Sequence, residues 1–175
     1  MTEELEPALP RDVVDLAEDV LAKTKEAELM LATAESCTGG LLAALLTDVS
    51  GYGRVFDRGF VSYSDEAKCD LLGIERRMVD DCGAVSEQVA HAMADGALAR
   101  SQADLAISIT GFAGPGKDRD EEGLVHFALA RREGGETQHR EEHYGAIGRD
   151  GVRLAALRTA LEMMGDAVDS SKRTD

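Results

Sequence analysis

The sequence predicts a single three-layer α/β/α domain built around a mixed sheet. Short apolar runs typical of buried strands alternate with segments whose apolar residues recur at helical spacing. The alternation ends in two strand-like segments separated by Glu133-Gly134-Gly135-Glu136, which is typical of a β-hairpin. A chain of 175 residues is long enough for one well-buried core and too short for two. Strands joined through helices run parallel and a hairpin is antiparallel, so the sheet should be mixed.

Each predicted helix carries apolar residues at helical spacing or begins near a residue that can cap it. Each predicted strand is a short run rich in apolar side chains. The predicted helices span residues 11–27, 41–49, 64–72, 75–80, 86–101 and 150–164. The predicted strands span residues 29–33, 56–63, 104–109, 124–131 and 137–144.

The domain is expected to occupy residues 11–166. Residues 1–10 are acidic and are predicted to form a flexible lead-in, and residues 167–175 are predicted to be a disordered tail. The first ten residues lack the basic-then-apolar pattern of a secretory signal. No run of eighteen apolar residues occurs, which argues against a membrane span. A cytoplasmic protein is expected.

Charge and composition exclude several classes of function. A net charge of −15, from 34 acidic and 19 basic residues, repels phosphate backbones and argues against nucleic acid as a partner. Three cysteines without Cys-x-x-Cys spacing argue against a disulfide scaffold. Four histidines without matching carboxylates argue against a metal site, so no metal is expected.

The most informative stretch is Ala34 to Gly40, between a predicted strand and a predicted helix. A strand that breaks into small residues and two glycines forms a tight turn with free backbone N–H groups. These groups carry the positive end of the helix dipole and suit an anionic oxygen or phosphate. Ser36 stands at the strand exit, where a nucleophile is placed in enzymes of this architecture. A simpler interpretation is that Ser36 or Thr38 only caps the helix.

Two further residues follow predicted strands, Tyr63 and Thr110. If the three strands are parallel neighbours, their loops meet at one edge of the sheet, where ligands bind in such folds. A serine needs a proton acceptor, and no histidine lies in these loops. Lys68 can serve if burial lowers its pKa, with Tyr63 relaying or orienting the proton. The alternative is that Tyr63 is a strand-end aromatic and Lys68 a solvated helix residue.

Two other features have competing interpretations. Cys37 lies beside a helix N-terminus, which favours a thiolate nucleophile, or it is simply a small buried residue. Arg149 and Arg153 lie one helical turn apart at the start of the last helix. They could clamp a phosphate or pair with surface acids.

Four motifs occur in order along the chain and together identify a family resemblance. They are Glu35–Gly40, Val61–Ser64 with Lys68, Gly83–Glu87 and Thr110–Pro115. The chain from Val13 to Met164 resembles the C-terminal domain family of the competence/damage-inducible protein CinA, the nicotinamide-nucleotide amidohydrolases. The resemblance implies hydrolysis of nicotinamide mononucleotide to nicotinic acid mononucleotide and ammonia, without a metal or an organic cofactor. It also implies a homodimer or a higher homo-oligomer.

The resemblance implies roles for individual residues. Ser36 would be the nucleophile that forms an acyl-enzyme, with Tyr63 and Lys68 as the pair that activates it. Arg149 would lie near the nucleotide phosphate. The residues expected around the oxyanion or the substrate are Thr38, Gly39, Gly40, Thr110, Gly111, Ala113 and Gly114.

The chain departs from the family pattern after Gly114-Pro115. The family usually continues there with further glycines and a Lys-Pro pair, whereas residues 116–122 are shorter and strongly acidic. Their charge would oppose a phosphate-bearing ligand. This departure supports an alternative, a non-catalytic nucleotide-binding or regulatory module, which would bind the nucleotide without turnover. A third hypothesis is a hydrolase that uses Cys37.

Overall fold

Five strands form one sheet in the computed structural model, which describes residues 9–116 and 120–171. The strand order is β2-β1-β3-β4-β5. β1 is parallel to β2 and β3, whereas β4 is antiparallel to β3 and β5. The strands are β1 (Leu31–Glu35), β2 (Phe56–Val61), β3 (Leu105–Gly111), β4 (Leu124–Arg131) and β5 (Gln138–His143). The predicted mixed sheet and its hairpin are confirmed.

Six helices cover the two faces of this sheet within the described ranges. Helices α1, α2 and α6 contribute to the larger apolar core on one face, and α3, α4 and α5 to the core on the other. No helix among the described residues is long and apolar enough to cross a membrane. The helices are α1 (Arg11–Glu26), α2 (Leu41–Asp48), α3 (Asp65–Leu72), α4 (Arg76–Cys82), α5 (Glu87–Ala99) and α6 (Gly148–Ser171).

The alternation of side chains along β3 positions polar groups beside apolar ones. Leu105, Ile107 and Ile109 belong to the core beneath α1, α2 and α6. Because successive side chains of a strand point to opposite faces, Ser108 and Thr110 point towards α5. The Ser108 hydroxyl donates to the carbonyl oxygen of Ala90 in α5 at 2.6 Å. β3 therefore presents two hydroxyl groups to the α5 side near its carboxyl end.

Several element boundaries differ from the sequence predictions. β3 ends at Gly111 instead of residue 109, so Thr110 lies within the strand and not after it. β1 begins and ends two residues later than predicted, so it includes Glu35, and Ser36 still stands at the strand exit. α6 continues to Ser171, so the prediction of a disordered tail is wrong for residues 167–171. Ala167 and Val168 are only 1% and 0% exposed, and their burial extends the helix. Residues 1–8 and 172–175 lie outside the described ranges.

Candidate active site

Ser36 begins a tight turn directly after β1. Its amide donates to the carbonyl oxygen of Ile109 at 2.9 Å, which fixes the turn against β3. Gly39 and Gly40 have φ angles of +63° and +92°, a region that favours glycine because a Cβ atom would clash with the backbone. The two glycines let the chain reverse into α2, as their position in the sequence predicted.

The carboxylate of Glu35 caps the N-terminus of α2. Its Oε1 accepts from the Ala43 amide at 2.8 Å, and its Oε2 accepts from the Leu42 amide at 3.0 Å. The Thr38 hydroxyl also donates to Oε2, at 2.6 Å. Glu35 is only 1% exposed, so the favourable interaction with the helix dipole is sheltered from solvent.

This contact corrects two sequence predictions. Neither Ser36 nor Thr38 caps α2, because Glu35 does so from the end of the preceding strand. The amides of Leu42 and Ala43 are therefore not free to bind an external anion. No role of its own was predicted for Glu35 from the sequence, although an acid between a buried strand and an apolar helix is a signal for such a cap.

Two candidate catalytic residues, Ser36 and Lys68, are in direct contact. Lys68 Nζ lies 3.0 Å from Ser36 Oγ, 2.8 Å from the carbonyl oxygen of Ser62 and 3.5 Å from that of Tyr63. Lys68 is 1% exposed and Ser36 7%. The Ser64 hydroxyl caps α3 by accepting from the Ala67 amide at 3.0 Å, which sets the direction from which Lys68 enters the site.

The surroundings of Lys68 favour its neutral form. Burial lowers the pKa of Lys68 below its ordinary value of 10.5, while the charge of Asp65 acts in the opposite direction. A neutral amine has two N–H donors and one lone pair. The carbonyl oxygens of Ser62 and Tyr63 can accept the two N–H groups, which leaves the lone pair directed at the Ser36 hydroxyl. Lys68 is therefore suited to act as a general base.

Tyr63 does not stand between these two groups. Its side chain is 65% exposed, and it contributes its backbone carbonyl to the lysine. Because Lys68 contacts Ser36 directly, a proton relay through the phenol is not needed. A role for the Tyr63 ring at the rim of the site stays a prediction.

Thr110 and the following loop form the neighbouring wall. Since Glu35 pairs with Ile109, Thr110 lies level with Ser36 on the same face of the sheet. The Thr110 hydroxyl donates to the carbonyl oxygen of Ala84 at 2.7 Å, which attaches the loop before α5 to the end of β3. A Cβ atom on Gly111 would lie 2.7 Å from the Leu124 carbonyl oxygen, so only glycine fits there.

Two arginines from the first turns of α6 border the site. Arg153 donates from Nε to the carbonyl oxygen of Cys37 at 2.9 Å, and its guanidinium covers Gly39. The Arg149 guanidinium lies against Gly114, where a Cβ atom would be 3.1 Å from Nη2. Ala113, by contrast, is buried in the core and supports the loop from beneath.

Neither guanidinium forms an ion pair with a carboxylate of the described residues, which argues against the interpretation that they pair with surface acids. In a chain with 34 acidic residues, two unpaired arginines beside a serine mark a place for an anionic group. Arg153 was noted in the sequence only as a neighbour of Arg149, and its contact with the Ser36 turn depends on the packing of α6.

The turn also offers donors for a developing oxyanion. The amides of Cys37 and Thr38 donate to no protein oxygen within the described part of the chain. The amide after a nucleophile is a common oxyanion donor in strand-turn-helix sites. The Cys37 thiol is poorly suited to catalysis, because burial raises its pKa to about 12 and keeps it protonated. This argues against the hypothesis of a cysteine nucleophile.

Other parts of the described surface are less suited to chemistry. A shallow depression of about 400 Å³ lies near the opposite end of α2 and contains none of the reactive side chains. Within residues 9–116 and 120–171, no group of three or more His, Cys, Asp or Glu side chains is arranged to hold a metal ion. The depression is lined by Val14, Glu18, Asp48, Val49, Ser50 and Tyr52.

Comparisons with known proteins agree on one family. Residues 13–168 match the family described as the CinA C-terminal domain. The chain is 41% identical over 155 residues to the nicotinamide-nucleotide amidohydrolase PncC of Escherichia coli strain K12, covering 87% of this chain and 93% of that protein. It is 48% identical over 147 residues to a putative competence-damage inducible protein of Symbiobacterium thermophilum, covering 79% of this chain and 34% of that protein.

A solved structure shares both fold and sequence. The competence/damage inducible protein CihA from Agrobacterium tumefaciens superposes with a TM-score of 0.87 at 47% identity, covering 92% of this chain and 98% of that chain. The relatives differ in length: the chain spans 30% to 39% of several curated CinA-like proteins and more than 90% of the PncC proteins.

Proposed function

Because this chain belongs to the CinA C-terminal domain family, we propose that it is an amidohydrolase that converts nicotinamide mononucleotide to nicotinic acid mononucleotide and ammonia. The observation that carries the proposal is the 3.0 Å contact between the buried Lys68 Nζ and Ser36 Oγ. The PncC relatives, which this chain matches over most of its length, are nicotinamide-nucleotide amidohydrolases, and this supports the substrate class.

The reaction begins with attack by Ser36. Its Oγ forms a bond to the carboxamide carbon as Lys68 Nζ takes the hydroxyl proton, and the carbonyl electron pair moves to the oxygen. The amides of Cys37 and Thr38 donate hydrogen bonds to that oxyanion. Lys68 then passes the proton to the amide nitrogen as the C–N bond breaks, which releases ammonia and leaves an acyl-enzyme.

Hydrolysis of the acyl-enzyme reverses these roles. Water occupies the place of the ammonia, loses a proton to Lys68 and attacks the ester carbon. Lys68 then returns the proton to Ser36 Oγ as the C–O bond breaks. One side chain serves both steps because burial lowers its pKa towards the range in which a lysine exchanges protons.

Arg149 and Arg153 are proposed to bind the nucleotide phosphate. They are cationic, lie against the Ser36 turn (Arg153) and the Gly114 loop (Arg149), and lack carboxylate partners among the described residues. In the acidic segment after Gly116, Glu121 contacts His143 Nδ1 at 2.6 Å, and this hydrogen bond raises the pKa of His143. Residues 117–119 of that segment lie outside the described ranges.

The test is ammonia release from nicotinamide mononucleotide at low and high salt. We expect Ser36→Ala to lower the rate by at least about 10³-fold, whereas the exposed Ser50→Ala should match the wild type. Saturable binding of the nucleotide without ammonia release by the wild type would contradict the proposal. That result would instead favour a non-catalytic nucleotide-binding module.

A further inference from the structure

Two buried hydroxyl groups have no hydrogen-bond partner within the described part of the chain, Thr33 Oγ1 and Ser62 Oγ. Both residues are 0% exposed. Leaving a buried hydroxyl unsatisfied costs about 1–3 kcal/mol, so such groups often have a functional reason. The two hydroxyls lie on opposite faces of the sheet, and only one of them is near the reactive serine.

The direction of the Ser62 side chain follows from its neighbours. The Val61 side chain points towards the α2 side, since a Cβ atom on Gly40 would lie 3.0 Å from Val61 Cγ2. The Ser62 amide donates to the carbonyl oxygen of Glu35 at 2.8 Å, so the strand pairing continues through Ser62. Because side chains alternate along a strand, Ser62 points to the other face, where Lys68 lies.

The Thr33 side chain, unlike that of Ser62, lies on the α2 face of the sheet. The carboxylate of Glu35 contacts α2, and Thr33, two residues earlier in the same strand, shares that face. A Cβ atom on Gly59 would lie 2.9 Å from Thr33 Oγ1 and 2.8 Å from the Cβ of Ala43 in α2. The unpaired Thr33 hydroxyl is therefore on the face of the sheet opposite Lys68.

Lys68 lacks a good third acceptor once it is charged. An ammonium has three N–H donors, and the oxygens around Nζ are Ser62 O at 2.8 Å, Ser36 Oγ at 3.0 Å and Tyr63 O at a weak 3.5 Å. Once Ser36 Oγ is bonded to the substrate carbon, the N–H group that faced it must turn to the leaving nitrogen. Lys68 is 1% exposed, so bulk water cannot supply a further acceptor. If the Lys68 ammonium lacks a hydrogen-bond acceptor in this buried site, the free-energy barrier of the reaction rises.

We propose that Ser62 is a positioning residue for the base: its Oγ accepts a hydrogen bond from the Lys68 ammonium in the tetrahedral intermediate, before the ammonia leaves. Four covalent bonds separate Ser62 Oγ from the carbonyl oxygen that already contacts Nζ, so a side-chain rotation brings the hydroxyl within reach. Ser62 O and Ser62 Oγ then hold two N–H groups, and the third is directed at the leaving nitrogen. Ser62 neither gains nor loses a proton.

The inference rests on the proposed function, but its first test needs no substrate. The Lys68 pKa is measured by NMR titration of its Cε signal in the wild type, Ser62→Ala, Ser36→Ala and the double variant. Ser36→Ala removes the acceptor that the bond to the substrate carbon also removes. In that background we expect Ser62→Ala to lower the Lys68 pKa by about 1 pH unit, and by less in the wild type. Equal values with and without Ser62 in the Ser36→Ala background would overturn the inference.

Turnover provides the second test. We expect Ser62→Ala to lower kcat by about 10-fold or more with little change in KM, and to move the acidic limb of the kcat profile to lower pH. Ser62→Thr keeps the hydroxyl and should retain activity, and Thr33→Val is the matched control on the opposite face. If Ser62→Thr loses as much activity as Ser62→Ala, the effect is packing and the inference fails.

The two tests also separate this inference from the proposed function. A wild type that releases no ammonia would contradict the proposed function, and the NMR titration would then decide the role of Ser62 alone. Neither Ser62→Ala nor Thr33→Val should lower the thermal stability, because each removes an unsatisfied buried hydroxyl.

Discussion

Arg153 donates a hydrogen bond from Nε to the carbonyl oxygen of Cys37 at 2.9 Å, and this contact attaches α6 to the turn that carries Ser36. The two residues are 116 positions apart in the chain. The same guanidinium covers Gly39, so one side chain both holds the turn and places a positive charge beside it. The turn geometry therefore depends on the packing of the last helix.

Replacing Arg153 should weaken substrate binding. We expect Arg153→Gln to raise KM for nicotinamide mononucleotide by about 10-fold or more, because a charge-assisted contact to the phosphate is lost. Steady-state kinetics measure the change. Arg158→Gln, on the same helix and paired with Asp12 at 2.8 Å, is the matched control and should leave KM unchanged. An unchanged KM in Arg153→Gln would exclude this residue from the phosphate site.

Glu35→Gln should destabilise the protein and slow the reaction. The amide keeps the shape of the side chain but removes the charge that accepts from the Leu42 and Ala43 amides. We expect a loss of about 1–3 kcal/mol in the free energy of unfolding, measured by urea denaturation. Glu75→Gln is the control, since Glu75 precedes α4 without making a side-chain cap. Equal stability of the two variants would show that the Glu35 carboxylate does not support the turn.

Local pattern was sufficient to predict the fold class, and it identified two candidate residues that lie in contact in the structure. Apolar periodicity identified the strands, and the position of Ser36 after a strand placed it at the carboxyl edge, as observed. Lys68 was predicted as a candidate base because it follows a strand-to-helix junction, and the structure places its Nζ 3.0 Å from Ser36 Oγ. The position of each residue at its own strand end depends on residues close in sequence, whereas the contact between the two, 32 positions apart, forms only when β1 and α3 pack together.

Features that depend on long-range packing were not predictable in the same way. The sequence gives no sign that Arg153 contacts Cys37 or that the Thr110 hydroxyl binds Ala84, because these pairs meet only when α6 and α5 dock. The extension of α6 was missed for the same reason: burial of Ala167 and Val168 by tertiary contacts outweighs the weak local signal for a helix there.

Ammonia release should not depend on a cysteine thiol. Burial raises the pKa of Cys37 to about 12, whereas Cys82 is exposed. We expect iodoacetamide to modify Cys82 in the folded protein without loss of ammonia release, and Cys37→Ala to retain activity. Mass spectrometry identifies the modified residue. Inactivation that tracks modification of Cys37 would instead support the cysteine nucleophile.

A buried histidine should make stability fall in mild acid. His126 is 6% exposed, and burial lowers its pKa below the ordinary 6.5, although Glu141 and Glu87 oppose this and His139 and His143 reinforce it. The unfolded chain therefore binds this proton more readily than the folded one. The resulting stability is complete above pH 6.5 and is lost as the pH falls towards the lowered value.

The measurement for His126 is the urea midpoint between pH 5 and pH 8. His126→Asn should flatten the decline, although it also removes the 3.0 Å contact with His139 Nε2 and lowers stability at every pH. His143→Asn is the comparison, because hydrogen bonding to Glu121 raises the pKa of His143 and its contribution has the opposite sign. If the urea midpoint changes with pH equally in the wild type and in His126→Asn, the decline is not caused by His126.

The buried amine of Lys68 should lower the stability of the folded protein and yet be required for ammonia release. Burial lowers its pKa in the folded state, so the unfolded chain binds this proton more tightly and stability rises with pH towards 10.5. Lys68→Met removes the buried amine, so we expect a higher melting temperature at pH 7 together with loss of ammonia release. Lys68→Arg should also be inactive, because a guanidinium stays protonated and cannot accept the Ser36 proton. In the wild type, kcat/KM should rise with pH through the lowered lysine pKa, and a Lys68→Arg enzyme that retains this pH profile would exclude Lys68 as the base.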